Sequence, residues 1–435
     1  MTRAVLTAVS HRWESDLVTA LEAAPGLTVV RRCADVADLL AAASAGLADL
    51  AIVSADLRAL DRDALHHLSR HGVRTAGATA PGDEDAERRL RQLGLDVVVR
   101  ADAATHELED ALAALADGPA AGVGDGPAAD VPVPVPPAGG EARETMPAAP
   151  GGPGDEAGWA EVESSTVVAV WGPTGAPGRT TVALGLAAEL AHRGVRTLLV
   201  DADTYGSSVA QSLALLDEAP GLAAAARAAD QGTLDLPALA RVAPEAAPRL
   251  RVLTGIPRAD RWPELRAAAV EHVLTVARRL AEFVVVDCGF AVEDDEELSY
   301  DTLAPRRNAA TLTAIAEADR LVAVGAADPI GLQRLVRGVQ EVSTLAAPTP
   351  EVVVNKLRAS AVGHRPERRV TEALSRFAGM DDLLFLPWDQ VSLDGAMLAG
   401  RSLVEYAPQS ELRRALSVLA DRYAAVPQTA GRRRR

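Results

Sequence analysis

Trp171-Gly-Pro-Thr-Gly-Ala-Pro-Gly-Arg-Thr-Thr181 is the stretch on which the fold turns. Before it runs Thr166-Val-Val-Ala-Val170, an unbroken apolar, β-branched run of the kind a buried parallel strand shows. After it, Val182-Ala-Leu-Gly-Leu-Ala-Ala-Glu-Leu-Ala191 reads as a helix. A glycine-rich turn between a strand and a helix is a ready anion cradle. Its N–H groups converge, and the helix N-terminus adds about half a positive charge. The stretch approximates G-x-x-x-x-G-K-[ST], with Thr180 where a magnesium ligand belongs. It also departs from that pattern. Pro173 holds the first Gly position, with Gly172 adjacent, and Arg179 holds the Lys position. Pro173 and Pro177 each remove an N–H donor from the loop. On these residues alone, a plain glycine-containing βα turn remains the competing reading.

Working outward, the chain of 435 residues has room for two or more domains with full cores. A hydrophobic content of 48% with few aromatics suits an Ala/Val/Leu-rich α/β protein. The net charge of −16 argues against a general nucleic-acid coat, which wants a basic surface, although a local basic patch stays open. Cys33 and Cys288, lone and far apart, fit a reducing compartment and neither a disulfide framework nor a metal site. No apolar run reaches the ~18–20 residues of a membrane span, and Ser10–Asp16 interrupts any signal-like apolar core. The expectation is a soluble, cytoplasmic protein.

Residues 1–116 alternate strands and helices in five units, the pattern of a doubly wound sheet. Strands are expected at Arg3–Val9, Leu27–Val30, Asp49–Ser54, Val73–Gly77 and Leu95–Arg100. Residues 117–163 are Pro, Ala and Gly with scattered acids, including Val131-Pro-Val-Pro-Val-Pro-Pro137. Such a segment cannot bury enough to order itself, and it spans about 40 Å if flexible. The two domains it joins therefore need not share an interface. Residues 164–425 form a larger α/β domain with seven candidate strands, the near-continuous apolar pattern of a mostly parallel sheet covered on both faces. Residues 426–435 are a basic tail ending in Arg432-Arg-Arg-Arg435.

Two further motifs lie at strand ends of the larger domain. Arg196-Thr-Leu-Leu-Val-Asp-Ala-Asp203 places Asp201 and Asp203 where open α/β sheets hold ligands. Phe283-Val-Val-Val-Asp-Cys-Gly289 ends in Asp287, in the form of a magnesium-holding Walker B aspartate. Either one alone reads equally well as a capping aspartate.

Together these motifs resemble the MinD/ParA class of P-loop ATPases with a deviant Walker A loop. The loop motif maps onto Thr174-Gly-Ala-Pro-Gly-Arg-Thr-Thr181, the strand ending D-x-D onto Asp201–Asp203, and the Walker B strand onto Asp287-Cys-Gly289. Val352-Val-Val-Asn-Lys356 resembles the strand whose Asn contacts adenine, and Leu386-Pro-Trp-Asp389 the late segment near the base. The resemblance implies ATP and Mg2+ as ligands. Gly175, Ala176, Gly178, Arg179, Thr180 and Thr181 would line the phosphates, and Asn355, Pro387 and Asp389 the base. Thr180 and Asp287 would hold the magnesium, and Asp201 or Asp203 would orient the attacking water. The family's signature lysine is Thr174 here and its loop lysine is Arg179, so hydrolysis is expected to be slow or absent. Arg306 and Arg307 are conceivable substitute cations.

The smaller domain is similar in order and spacing to a response-regulator receiver. Ser54 stands where the phospho-accepting aspartate belongs, Asp56 is out of register, and Ser10-His11 replaces the acidic pair. This is the pattern of a pseudo-receiver, with a generic small α/β domain as the alternative. A pseudo-receiver joined to such an ATPase resembles the CpaE/TadZ group. That resemblance implies a homodimer whose N-terminal domain meets pilus or secretion assembly proteins, at a pole or at the inner face of the membrane. The helix expected over Glu411–Tyr423 reads as a packed core helix, and the arginine tail as a weak peripheral membrane contact. Two other readings stand beside this one: a ParA-like partitioning ATPase on DNA, and a nucleotide-independent interaction protein with a degenerate loop.

Overall fold

The computed structural model describes residues 2–57, 60–117, 161–215, 220–293 and 305–424. Most of the expected tether, residues 294–304 and the basic tail lie outside them.

The N-terminal strands are β1 (Arg3–Ala8), β2 (Leu27–Arg32), β3 (Leu50–Ser54), β4 (Arg74–Thr79) and β5 (Val98–Arg100). They form one parallel sheet in the order β2-β1-β3-β4-β5, a common order of doubly wound domains. Leu50, Ile52, Leu17 and Leu108 fill one face, and Leu6, Leu39 and Leu68 the other. Two helices to which the sequence pattern gave no bounds, Arg62–Arg70 and Glu84–Gln92, are short and heavily charged. Leu90 is the one buried residue of the second. Asp61 and Asp83 start them by accepting from the amides of Ala64 and Ala86. At the end of β3 the Ser54 hydroxyl donates to Asp56 Oδ1 at 2.5 Å.

The larger sheet has eight strands: β6 (Thr166–Trp171), β7 (Thr197–Ala202), β8 (Glu245–Ala247), β9 (Leu250–Leu253), β10 (Phe283–Cys288), β11 (Arg320–Ala326), β12 (Pro350–Leu357) and β13 (Leu383–Pro387). Their order is β13-β12-β11-β6-β10-β7-β9-β8, parallel except for the antiparallel β8–β9 edge. That edge strand was not expected, since Glu-Ala-Ala carries no strand signal. β6 sits between β10 and β11, so the connection after β6 leaves toward one side while β11 and β12 build the other. The loop after β6 therefore opens at the point where strand order reverses, the crevice in which such sheets take ligands.

Helices cover both faces. The helix Arg179–His192 that follows the loop packs against the C-terminal helix Glu411–Ala424, whose Leu412, Leu416, Leu419 and Tyr423 are all buried. Gly185 permits this approach, because a Cβ there would stand 2.5 Å from Leu416 Cδ1. Among the described residues no helix is long and apolar enough to cross a membrane.

The tether left a common face between the two domains open, and the structure has one. Asp61 receives Arg266 at 2.6 Å, and Asp63 Oδ1 accepts from the amide of Ala268 at 3.0 Å. The helix Ala267–Leu280 has no side-chain cap of its own at its start, so the N-terminal domain supplies one. Tether composition predicts a loose chain, but it says nothing of what the tethered surfaces do when they meet.

Candidate nucleotide site

Three residues of the loop after β6 have left-handed backbone: Gly175 (φ 106°), Ala176 (φ 51°) and Gly178 (φ 104°). Runs of this kind turn successive N–H groups toward one side and form an anion-binding nest. Gly172 is sterically required, since a Cβ there would meet the carbonyl oxygen of Val324. The helix then starts at Arg179, with Gly178 before it offering no side-chain cap, so its first amides keep their donors for another partner. Thr180 and Thr181 lie in this first turn, half-buried.

The Arg179 guanidinium turns down beneath the loop. Its Nε donates to Cys288 O at 3.0 Å and its Nη1 to Gly172 O at 3.2 Å and Pro173 O at 3.4 Å. Its Nη2 donates to Asp203 Oδ2 at 3.1 Å, with side-chain exposures of 12% and 7% for the pair. Asp203 Oδ1 in turn accepts from the amides of Tyr205 and Gly206. Asp201, fully buried at the end of β7, accepts from the amides of Asp203, Ser208 and Val209. Burial pushes its carboxyl up to about 6, with the nearby Asp203 adding to the rise and the amides opposing it.

Asp287 differs from both. It is 1% exposed at the end of β10, and neither carboxylate oxygen completes a hydrogen bond, although the Thr180 hydroxyl lies close enough to act on it. Burial raises its pKa well above the ordinary carboxylate range, Asp201 and Asp203 add to this, and the Thr180 hydroxyl and Arg179 draw it back. A buried carboxylate with no partner is costly, and a cation beside it relieves that cost. Among the described residues no group of three or more His, Cys, Asp or Glu side chains is placed to hold a metal. A magnesium ion needs no such cage, since it commonly takes one or two protein oxygens together with substrate phosphates. Thr180 and Asp287 are a suitable pair.

The residues expected around the base lie near the ends of β12 and β13. Asn355, 4% exposed, donates from Nδ2 to Pro177 O at 2.8 Å and so packs against the loop itself. Pro387 ends β13, and Asp389 caps the helix Gln390–Ala399 by accepting from Ser392 N at 3.1 Å. A cavity of about 160 Å³ opens between the loop helix and the C-terminal helices, lined by Thr180, Thr181, Leu184, Ser208, Leu393 and Arg401 among others. Arg307 is engaged elsewhere, donating to Ala259 O and Thr204 O and stacking on Tyr205. Two cations at the loop, Lys356 and Arg334, carried no role in the sequence reading. Lys356 follows directly on Asn355, while Arg334 is one arginine among many on an exposed helix face, and only the fold brings it there.

A central parallel strand, an anion nest, a helix start and a buried carboxylate at the neighbouring strand end together define a P-loop nucleotide-binding domain. Residues 168–394 match the model of the CobQ/CobB/MinD/ParA nucleotide binding domain, and the chain belongs to that family. The ParA family ATPase from Chlorobium tepidum TLS shares the fold at 17% identity, covering 59% of this chain and 99% of that one with a TM-score of 0.50. The cell division ATPase MinD of Pyrococcus furiosus is 18% identical over 60% of this chain and 100% of its own, with a TM-score of 0.48. The septum site-determining protein MinD of Pyrococcus horikoshii OT3, solved with Mg-ADP, is 18% identical over 60% and 96%, with a TM-score of 0.46. No curated protein matches the chain.

Proposed function

We propose that this protein is an ATP- and magnesium-binding spatial regulator or scaffold for pilus or secretion assembly, acting as a nucleotide-dependent homodimer. The observation that carries the nucleotide reading is Asp287, a buried carboxylate without a partner beside the first turn of the loop helix. In this reading the amides of Gly175, Ala176 and Gly178 and the start of the helix hold the phosphates, while Thr180 and Asp287 hold magnesium. The ion, when bound, neutralises phosphate charge. Asn355, Pro387 and Asp389 line the base, and Thr181 lines the phosphates with the loop.

Slow or absent hydrolysis follows from the acids. Asp201 and Asp203, either of which would orient the attacking water, already accept from five backbone amides and from Arg179. Arg179 spends its fork on protein oxygens, and Thr174 offers no charge. The pilus reading, with the N-terminal domain as a pseudo-receiver that meets assembly proteins at a pole or the membrane face, rests on the resemblance of the two-domain order. A net charge of −16 weighs against DNA as the partner.

The engagement of the Arg179 guanidinium with protein oxygens favours one other reading, a protein that docks partners without nucleotide. Light scattering with and without ATP-Mg, paired with phosphate release on the same sample, separates the two. A doubling of mass on ATP-Mg with little release supports the nucleotide-gated scaffold. No binding and an unchanged mass would leave docking alone.

A further inference from the structure

Three side chains from neighbouring elements each grip one carbonyl at the crest of the phosphate loop. Arg334, on the helix Pro329–Val342, donates from Nη1 to Thr174 O at 3.4 Å. Lys356 donates from Nζ to Ala176 O at 2.6 Å, and Asn355 donates to Pro177 O at 2.8 Å. Both come from the end of β12, where pairing to β13 shifts register between Val354 and Leu357. Lys356 sits at φ 59°, a region unfavourable for a side chain with a Cβ and seen where the surroundings impose it. Trp388 lies beneath both Lys356 and Arg358, with 5.6 Å and 5.3 Å to its ring centre. The acid nearest in effect, Asp328, is occupied capping its own helix through the amides of Ile330 and Gly331.

We infer that Lys356, with Arg334 and Asn355, is a positioning residue that holds this loop in its anion-binding shape and supplies the positive field its own sequence lacks. The inference rests on the nucleotide reading above. Each peptide unit carries its carbonyl and N–H on opposite edges, so a carbonyl held outward turns its N–H inward. The grips on Thr174 O and Pro177 O thereby orient the N–H groups of Gly175 and Gly178. A donor on the carbonyl also polarises the peptide and strengthens its N–H as a donor. The third peptide ends in Pro177 and has no N–H, and there the grip is a full ammonium charge. Arg179 cannot fill this role from inside, because its charge stands against Asp203 beneath the loop. The ligand such a frame serves is the polyphosphate of a nucleoside triphosphate.

The test is the affinity for ATP-Mg and for ADP-Mg of wild type, Lys356→Asn and Lys356→Arg, at low and high salt, with Tm of each free protein. Asn tolerates the left-handed backbone, so Lys356→Asn is expected to keep Tm within a few degrees. It should bind ATP-Mg about tenfold more weakly, the loss being smaller for ADP-Mg and smaller in high salt. Lys356→Arg should recover most of the affinity. Equal ATP affinity in Lys356→Asn and wild type overturns the inference, as does an equal loss for both nucleotides at all salt concentrations. Failure of wild type itself to bind either nucleotide overturns the nucleotide reading instead.

Discussion

At the scale of single residues, the site sets one cation held by protein oxygens against one unpartnered anion. Arg179 joins the loop, the end of β10 and Asp203 through four hydrogen bonds, so Arg179→Ala strips a buried pair and the struts beneath the loop. We expect a loss of about 3 kcal/mol in stability, read by denaturant unfolding, together with weakened ATP-Mg binding. ATP-Mg binding as tight as wild type in that variant would remove Arg179 from the phosphate site. Asp287 behaves oppositely. Its folded pKa lies above its unfolded one, so stability is fully present below the ordinary carboxylate value and is lost as pH rises through the raised one. Asp287→Asn should therefore raise the Tm of the nucleotide-free protein, more at pH 8 than at pH 5, while abolishing the magnesium-dependent part of nucleotide binding. A pH-independent change in Tm would mean that Asp287 is not the strained carboxylate.

At the scale of elements, two helix ends and one helix crossing do most of the positioning. The loop helix crosses the C-terminal helix at Gly185, where a side chain would run into Leu416. Gly185→Val should cost about 1–3 kcal/mol through overpacking, and trypsin should then release the C-terminal helix faster. The start of the helix Ala267–Leu280 is capped by Asp63 of the other domain. Asp63→Ala should cost about 1 kcal/mol at that helix end and speed amide exchange there, leaving the loop helix unaffected. That helix leads through Ala281 and Glu282 into β10 and its Asp287, so the domain contact and the candidate magnesium ligand lie on consecutive elements.

At the scale of the whole molecule, the domain contact gathers acids against two arginines. Asp230 faces Asp61, Asp63, Arg62 and Arg266, and burial pushes its carboxyl up to about 7, with Asp63 next in effect. Its contribution to stability is present at low pH and is lost as pH rises through about 7. His272, pushed down to about 4 by burial, loses stability in the opposite direction, but only as pH falls from about 6.5 toward 4. Between pH 6.5 and 8, Asp230 acts alone of the two. Wild-type Tm should fall over that interval and fall less in Asp230→Asn, and identical slopes would place Asp230 outside the strained contact.

The sequence by itself determined the architecture that positions the site. Seven of the eight strands in the large sheet were legible because parallel strands buried on both faces must be apolar throughout, as in Val167–Val170 and Val284–Val286. The loop, the D-x-D strand and the Asp287 strand were legible because the three motifs occur together in one domain, although each alone has a plain structural reading. Short charged helices such as Glu84–Gln92 were not, since one buried leucine leaves no period to read. Only tertiary structure decided what each polar group does. Asp201 and Asp287 look alike at their strand ends, yet one meets loop amides and the other meets none. Arg179 turned inward, Arg334 and Lys356 reached the loop crest across about 160 and 180 residues of chain, and Asp63 capped a helix in another domain. Patterns along a chain report burial, which is a property of one residue and its face. Partners belong to pairs, and pairs distant in sequence exist only once the chain has folded.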